Sequence, residues 1–161
     1  MSSQNPSADS VERRPVLILD FGSQVTQLIA RRTRELSVYC EIHPYKMPIE
    51  EIRKINPPAI ILSGSPASVY DEDPPQIDAA IFELGIPILG ICYGQQIMVQ
   101  ALGGTVEKAA GREYGAASLR VVERLGPLAG FGRGDEVDVW MSHGDRVDSL
   151  PEGFFAAGSS E

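Results

Sequence analysis

Pro87-Ile88-Leu89-Gly90-Ile91-Cys92-Tyr93-Gly94-Gln95-Gln96 passes from an apolar run into a segment of helical period. A short apolar run that feeds directly into a helix is the βα unit of a buried parallel sheet. The junction, Gly90-Ile91-Cys92-Tyr93-Gly94, repeats the Gly-x-nucleophile-x-Gly elbow with sulfur in place of oxygen. Small residues two before and two after the nucleophile are a steric requirement, because strand and helix cross closely at such a turn. The spacing therefore predicts a strand over Pro87–Ile91, a helix over Gly94–Leu102 stopped by Gly103-Gly104, and Cys92 on the strained turn between them. At a helix N-terminus the macrodipole and free amides favour thiolate, so the Cys92 pKa is expected below that of an ordinary thiol.

The same alternation extends upstream. Val16–Leu19 is a strand candidate, and Asp20-Phe21-Gly22-Ser23 offers a turn and an N-cap for a helix presenting Val25, Leu28, Ile29 and Leu36. Val38–Ile42 reads as a second strand, Pro48–Lys54 as a short helix, and Ala59–Leu62 as a third strand. A helix across Gln76–Leu84 then leads through Gly85 into the elbow strand. Beyond Gly104 the pattern changes: Thr105–Lys108, Ala116–Val122 and Glu136–Met141 look like strands joined by glycine-rich turns. The expected class is thus α/β, a mostly parallel sheet with an antiparallel extension over residues 15–161, preceded by a disordered polar tail, residues 1–14.

Composition narrows the function. The chain has 161 residues, and 14 Lys and Arg stand against 22 Asp and Glu, a formal net charge of −8. That balance repels phosphate backbones and anionic membranes, so neither nucleic acid nor a membrane is an expected partner. No apolar stretch approaches the roughly 20 residues of a membrane span, and no signal peptide precedes the first strand, so a cytoplasmic location is expected. The two cysteines, Cys40 and Cys92, are then expected as free thiols.

Gly64 precedes Cys92 by 28 residues, the length of one right-handed βαβ crossover. The loop Ser63-Gly64-Ser65-Pro66 should then open at the same carboxyl edge of the sheet as the elbow. Amides near Gly64 and Ser65, with that of Tyr93, are candidates for an oxyanion hole around a tetrahedral acyl intermediate. The general base is left open, since the histidines His43 and His143 both fall in segments read as loops. Arg31, Arg32 and Arg34 read as a solvated helix face rather than part of the site.

Gly90-Ile91-Cys92-Tyr93-Gly94-Gln95-Gln96 resembles the Gly-x-Cys-x-Gly-x-Gln signature of the class I, or triad, glutamine amidotransferases. Leu19-Asp20-Phe21-Gly22-Ser23-Gln24, Ala30–Leu36, Leu62–Ser68, Arg112-Glu113-Tyr114-Gly115 and Val139–Asp145 resemble the branch of that family that serves purine nucleotide synthesis. The resemblance runs from Val16 to the end. It implies a flavodoxin-like, three-layer fold and hydrolysis of L-glutamine through a Cys92 thioester. The ammonia would go to ATP-activated xanthosine monophosphate on a synthetase domain held in cis or in trans, in an enzyme forming homodimers.

By the same resemblance Cys92 is the catalytic nucleophile, Ser65, Tyr93 and Gly64 form the oxyanion hole, and Gln96 shapes the substrate pocket. Ser142, His143, Gly144 and Asp145 hold the amino-acid end of glutamine, and Ser65 stands where the family often has a second glycine. The family's base and its orienting glutamate belong to a His-Pro-Glu motif expected beyond Glu161, so the chain is expected to be C-terminally incomplete, with little or no glutaminase turnover alone. No cofactor is expected within these residues. No Gly-x4-Gly-Lys-Ser/Thr loop occurs, and ATP and Mg2+ are expected with the synthetase domain. The alternative expectation is a non-catalytic, regulatory domain that keeps the elbow without its base.

Overall fold

Side-chain alternation decides the layering of the parallel sheet. In the computed structural model, which describes residues 14–160 apart from the side chains of 109–114, 142 and 143, β1 (Val16–Asp20) lies between β2 (Cys40–Pro44) and β3 (Ile60–Leu62). With β4 (Ile88–Gly90) the order is β2-β1-β3-β4, all parallel, the flavodoxin-like arrangement. The expected N-terminal tail lies outside the described residues except for Arg14, which donates to the Asn56 carbonyl at 3.2 Å.

Leu17, Leu19, Ile60 and Leu62 point to one face of the sheet. There they pack with Ile52 of α2 (Ile49–Ile55), Ile81, and Tyr93 and Ile97 of α3 (Tyr93–Ala101). Ile18 points to the other face, onto Ala30 of α1 (Thr26–Glu35) and Cys40. Helices on both faces make the three layers.

Three helix expectations are corrected. The buried face of α1 is Thr26 and Ala30 with half-buried Ile29, whereas Val25, Leu28 and Leu36 are 46%, 48% and 78% exposed. Small residues at i and i+4 let the helix axis approach the sheet, and that close seat turns the larger apolar residues outward. Ser23 is not the cap residue either: its Oγ accepts from the Val25 amide at 3.1 Å, and the cap position is Val25. The helix expected over Gln76–Leu84 contracts to a 3-10 turn, Ala79–Leu84, set by Asp78, whose carboxylate accepts from the Ala80 amide at 3.0 Å.

The antiparallel extension is present. β5 (Thr105–Val121) is one long strand rather than two short ones, and it pairs with β6 (Glu136–Ser149) and β7 (Gly158–Ser160) in the order β6-β5-β7. The register shifts between Lys108 and Glu113, opposite Asp145 and His143, so the two expected strands are the halves of one interrupted strand. Trp140-Met141-Ser142-His143-Gly144-Asp145 therefore lies inside β6 and not in a loop after a strand.

The core assignment carries a measurable contrast. Ile60, fully buried, is expected to cost about 3 kcal/mol on truncation to alanine. Leu28→Ala on the open face of α1 should stay within about 0.5 kcal/mol of wild type in the same urea titration.

Candidate active site

The elbow forms because three backbone segments crowd one point. Cys92 sits between β4 and α3 with φ +49° and ψ −112°, a left-handed conformation rare for a residue with a side chain. Such a residue costs on the order of 1–3 kcal/mol, which the surrounding packing must over-determine. Its carbonyl accepts from the amides of Gln95 and Gln96 at 3.0 and 3.1 Å, so the helix begins on the strained residue itself. A Cβ on Gly90 would lie 2.6 Å from the Cα of Gln95, and one on Gly94 would drive into the carbonyl of Leu62. The glycines at minus two and plus two are there because the backbones leave no room.

The loop after β3 faces the elbow. A Cβ built on Gly64 would meet the Cys92 Cβ at 3.6 Å and the Ser23 Oγ at 3.5 Å, so the turns after β1, β3 and β4 converge at the carboxyl edge of the sheet. Ser63 anchors the start of this loop: its amide donates to the Leu19 carbonyl at 3.0 Å and its Oγ accepts from the Phe21 amide at 3.0 Å. Among the hydrogen bonds of the described residues, the amides of Gly64, Ser65 and Tyr93 donate to no protein acceptor.

Tyr93 is buried beneath the elbow and donates its phenol to the Pro75 carbonyl at 2.6 Å. Burial pushes its pKa up to about 12, so this phenol stays protonated across the neutral range. Partial burial also pushes the Cys92 thiol up from its ordinary value. This is opposite to the direction expected from its place at a helix N-terminus. The reason is that the sulfur is lifted partly out of water at the wall of the cleft, where the charged form is disfavoured.

Gln96 and Asp145 meet on the far wall. The Gln96 side-chain amide, buried, donates to the Asp145 carbonyl at 2.9 Å, and the Asp145 carboxylate accepts from the Ser68 hydroxyl at 2.6 Å. A cleft of about 600 Å³ opens between α3 and the antiparallel sheet, lined by Cys92, Gln96, Leu119, Met141, Asp145 and Val147 among others. The backbones of Ser142 and His143 lie in β6 beside it, paired with Tyr114 and Glu113, and their side chains are outside the described residues; Gly144 separates them from Asp145.

His43 does not join this group. It lies near the end of β2, three strands from β4, which at about 4.8 Å per strand puts it roughly 14 Å away, and its Nε2 is paired with Glu41 at 3.0 Å. Cys40 is buried on the same distant strand, with its thiol on the Ala30 carbonyl, and both cysteines are free. Sequence reasoning missed Ser23 and Ser68 as neighbours of the site. Both lie in runs that carry the family resemblance, Leu19–Gln24 and Leu62–Ser68, but the first reads locally as a cap and nothing local marks the second as a partner of Asp145.

The chain belongs to the class-I glutamine amidotransferase family, whose family model matches residues 17–161. A GMP synthase [glutamine-hydrolyzing] of Heliobacterium modesticaldum is 58% identical over 146 residues, covering 91% of this chain and 28% of that protein. The enzyme of the same description from Corynebacterium jeikeium is 49% identical over 161 residues, covering all of this chain and 30% of that protein. The chain thus spans less than a third of the length of these curated relatives. Among solved structures, one described as a putative GMP synthase component from Thermoplasma acidophilum superimposes with a TM-score of 0.74 at 27% identity, covering 91% of this chain and 72% of that one. A glutamine amidotransferase of Thermotoga maritima, at 23% identity and a TM-score of 0.68, shares the fold and covers 92% of this chain and 68% of that one.

Two outcomes are expected. Gly94→Ala should destabilise the fold by about 2 kcal/mol or more in urea unfolding and slow Cys92 alkylation, because the new Cβ must push α3 off the Leu62 carbonyl. Alkylation of Cys92 by iodoacetamide should rise with pH to a midpoint above that of a free cysteine peptide measured alongside, since a raised pKa leaves less thiolate at neutral pH.

Proposed function

We propose that this chain is the glutaminase part of a glutamine-hydrolysing GMP synthase. The observation that carries the reading is the strained Cys92 at the head of α3, faced across a short gap by the loop of Gly64 and Ser65. Relatives at 49% and 58% identity that bear the GMP synthase description give it its acceptor.

The Cys92 thiolate attacks the carbonyl carbon of the glutamine side-chain amide, and the carbonyl oxygen takes up the negative charge. The amides of Ser65 and Tyr93, with that of Gly64 beside them, are free to receive that oxyanion. Because the donors are backbone groups, a serine at position 65 serves as well as a glycine so long as the turn holds its shape. The tetrahedral adduct collapses with loss of ammonia, which takes a proton from a general acid, and leaves a glutamyl thioester on Cys92. Water then hydrolyses the thioester to glutamate and frees the thiol. The main chain of Ser142, Gly144 and Asp145 would hold the amino-acid end of glutamine, with His143 in the same segment, while Gln96 acts by fixing the Asp145 carbonyl.

The acceptor chemistry, amination of xanthosine monophosphate, belongs to a synthetase domain supplied in cis or in trans, in a homodimeric enzyme of the cytoplasm. ATP and Mg2+ enter there and in none of the steps above. Among the described residues no three His, Cys, Asp or Glu side chains converge as a metal site, and no helix is long and apolar enough to cross a membrane.

Peptide-resolved labelling with the chloroketone analogue of glutamine tests the reading. Cys92 should be labelled at least tenfold faster than Cys40, with saturation in analogue and protection by L-glutamine. Equal labelling of both cysteines without saturation would sink it.

A further inference from the structure

The loop that carries the Gly64 and Ser65 amides is held at both ends. Its near anchor, Ser63, is tied to β1. Its far end is Ser68, and each polar group of that serine has a fixed partner. The Ser68 amide donates to the Asp71 carboxylate at 2.9 Å, and its Oγ accepts from the Tyr70 amide at 3.1 Å. The hydroxyl itself donates to the Asp145 carboxylate at 2.6 Å, the length of a strong charge-assisted bond. Tyr70 adds a second tie, donating its phenol to the Val106 carbonyl on β5.

Between the anchors the loop has little slack. Pro66 fixes its own φ and restricts Ser65 to extended backbone, and the Ser65 Oγ accepts from the Ala67 amide at 3.2 Å. A displacement at Ser68 therefore has few free torsions to absorb it before it reaches the Ser65 amide. The partner of Ser68 is itself immobilised: Asp145 is buried, and its carbonyl is gripped by Gln96 from the helix that the nucleophile heads.

We propose that Ser68 is a positioning residue for the oxyanion hole. Through the Asp145 carboxylate it locks the Gly64–Ser65 loop to the strand segment that receives the amino-acid end of the substrate. Asp145 then acts through its carboxylate on the protein rather than on the ligand, and occupancy of the 142–145 segment is coupled to the geometry of the hole. This rests on the glutaminase reading above, and the experiment separates the two.

The experiment follows inactivation of this chain by the chloroketone analogue in wild type, Ser68→Ala, Ser68→Thr, Asp145→Asn and the Ser68→Ala/Asp145→Asn double variant. It yields the maximal rate and the half-saturating concentration, with iodoacetamide alkylation of Cys92 and circular dichroism melting alongside. Ser68→Ala should lower the maximal rate about tenfold, because displaced oxyanion donors cost less than the hundredfold or more of a deleted one. It should move the half-saturating concentration less than threefold and leave the iodoacetamide rate unchanged. Ser68→Thr, which keeps the hydroxyl, should recover most of the rate. The double variant should be no slower than the slower single variant, as expected of two ends of one bond.

A wild-type maximal rate in Ser68→Ala overturns the proposal. So does a change confined to the half-saturating concentration, which would make Asp145 a direct ligand, and so does an equal fall in the iodoacetamide rate, which would make Ser68 merely structural. If Ser68→Ala does not fold, Ser68→Thr and Asp145→Asn decide: the proposal needs a near-normal rate in the first and a lowered one in the second, and falls otherwise. Absence of saturable labelling in the wild type removes the glutaminase reading and the proposal with it, whereas saturable wild-type labelling with unaffected variants removes the proposal alone.

Discussion

Everything at the site depends on how closely α3 approaches β3. The helix begins where the Gly94 Cα sits against the Leu62 carbonyl, a separation that admits hydrogen and nothing larger. That contact fixes the first turn of α3, and with it the strained φ of Cys92, the burial of Tyr93 and the direction of the Gln96 side chain. The strain is sustained by the apolar core beneath, where Tyr93 and Ile97 pack with Leu19, Leu62 and Phe21. Cys92 is thus held in its strained conformation by the packing of the apolar core.

The second constraint is topological. The order β2-β1-β3-β4 brings the turns after β1, β3 and β4 to one edge, so an anchoring serine, three free amides and a thiol become neighbours. The antiparallel sheet closes the remaining side by way of Asp145, which joins the loop after β3 to the helix after β4. One buried residue thereby couples three otherwise separate segments. The cleft is a property of their joint placement.

The parallel sheet and the elbow are legible in the sequence because their causes are local. Apolar runs bounded by Gly and Pro mark buried strands, and Gly90 and Gly94 are steric necessities that show in the sequence as a pair. Other features are not legible. The inner face of α1 is built on Thr26 and Ala30, whose small size suits close packing but gives a weaker apolar signal than Leu28 or Leu36. The continuity of β5 across its register shift is set by pairing with β6, 30 to 37 residues away at the shift (Glu113 with His143, Lys108 with Asp145), and local pattern cannot show it. Ser68 and Asp145 are separated by 77 residues and follow no spacing rule. The direction of the Cys92 pKa is hidden for a related reason: position at a helix end is visible in sequence and desolvation is not.

The two thiols differ in a way that makes the chain its own reporter of integrity. Cys40 is sealed under α1 with its sulfur on the Ala30 carbonyl, while Cys92 opens to solvent on the opposite side of the sheet order. A chromogenic disulfide reagent therefore counts one fast equivalent per folded molecule and two once the α1 layer detaches. The slow second equivalent measures the opening of α1 from the sheet under native conditions, with no engineered label.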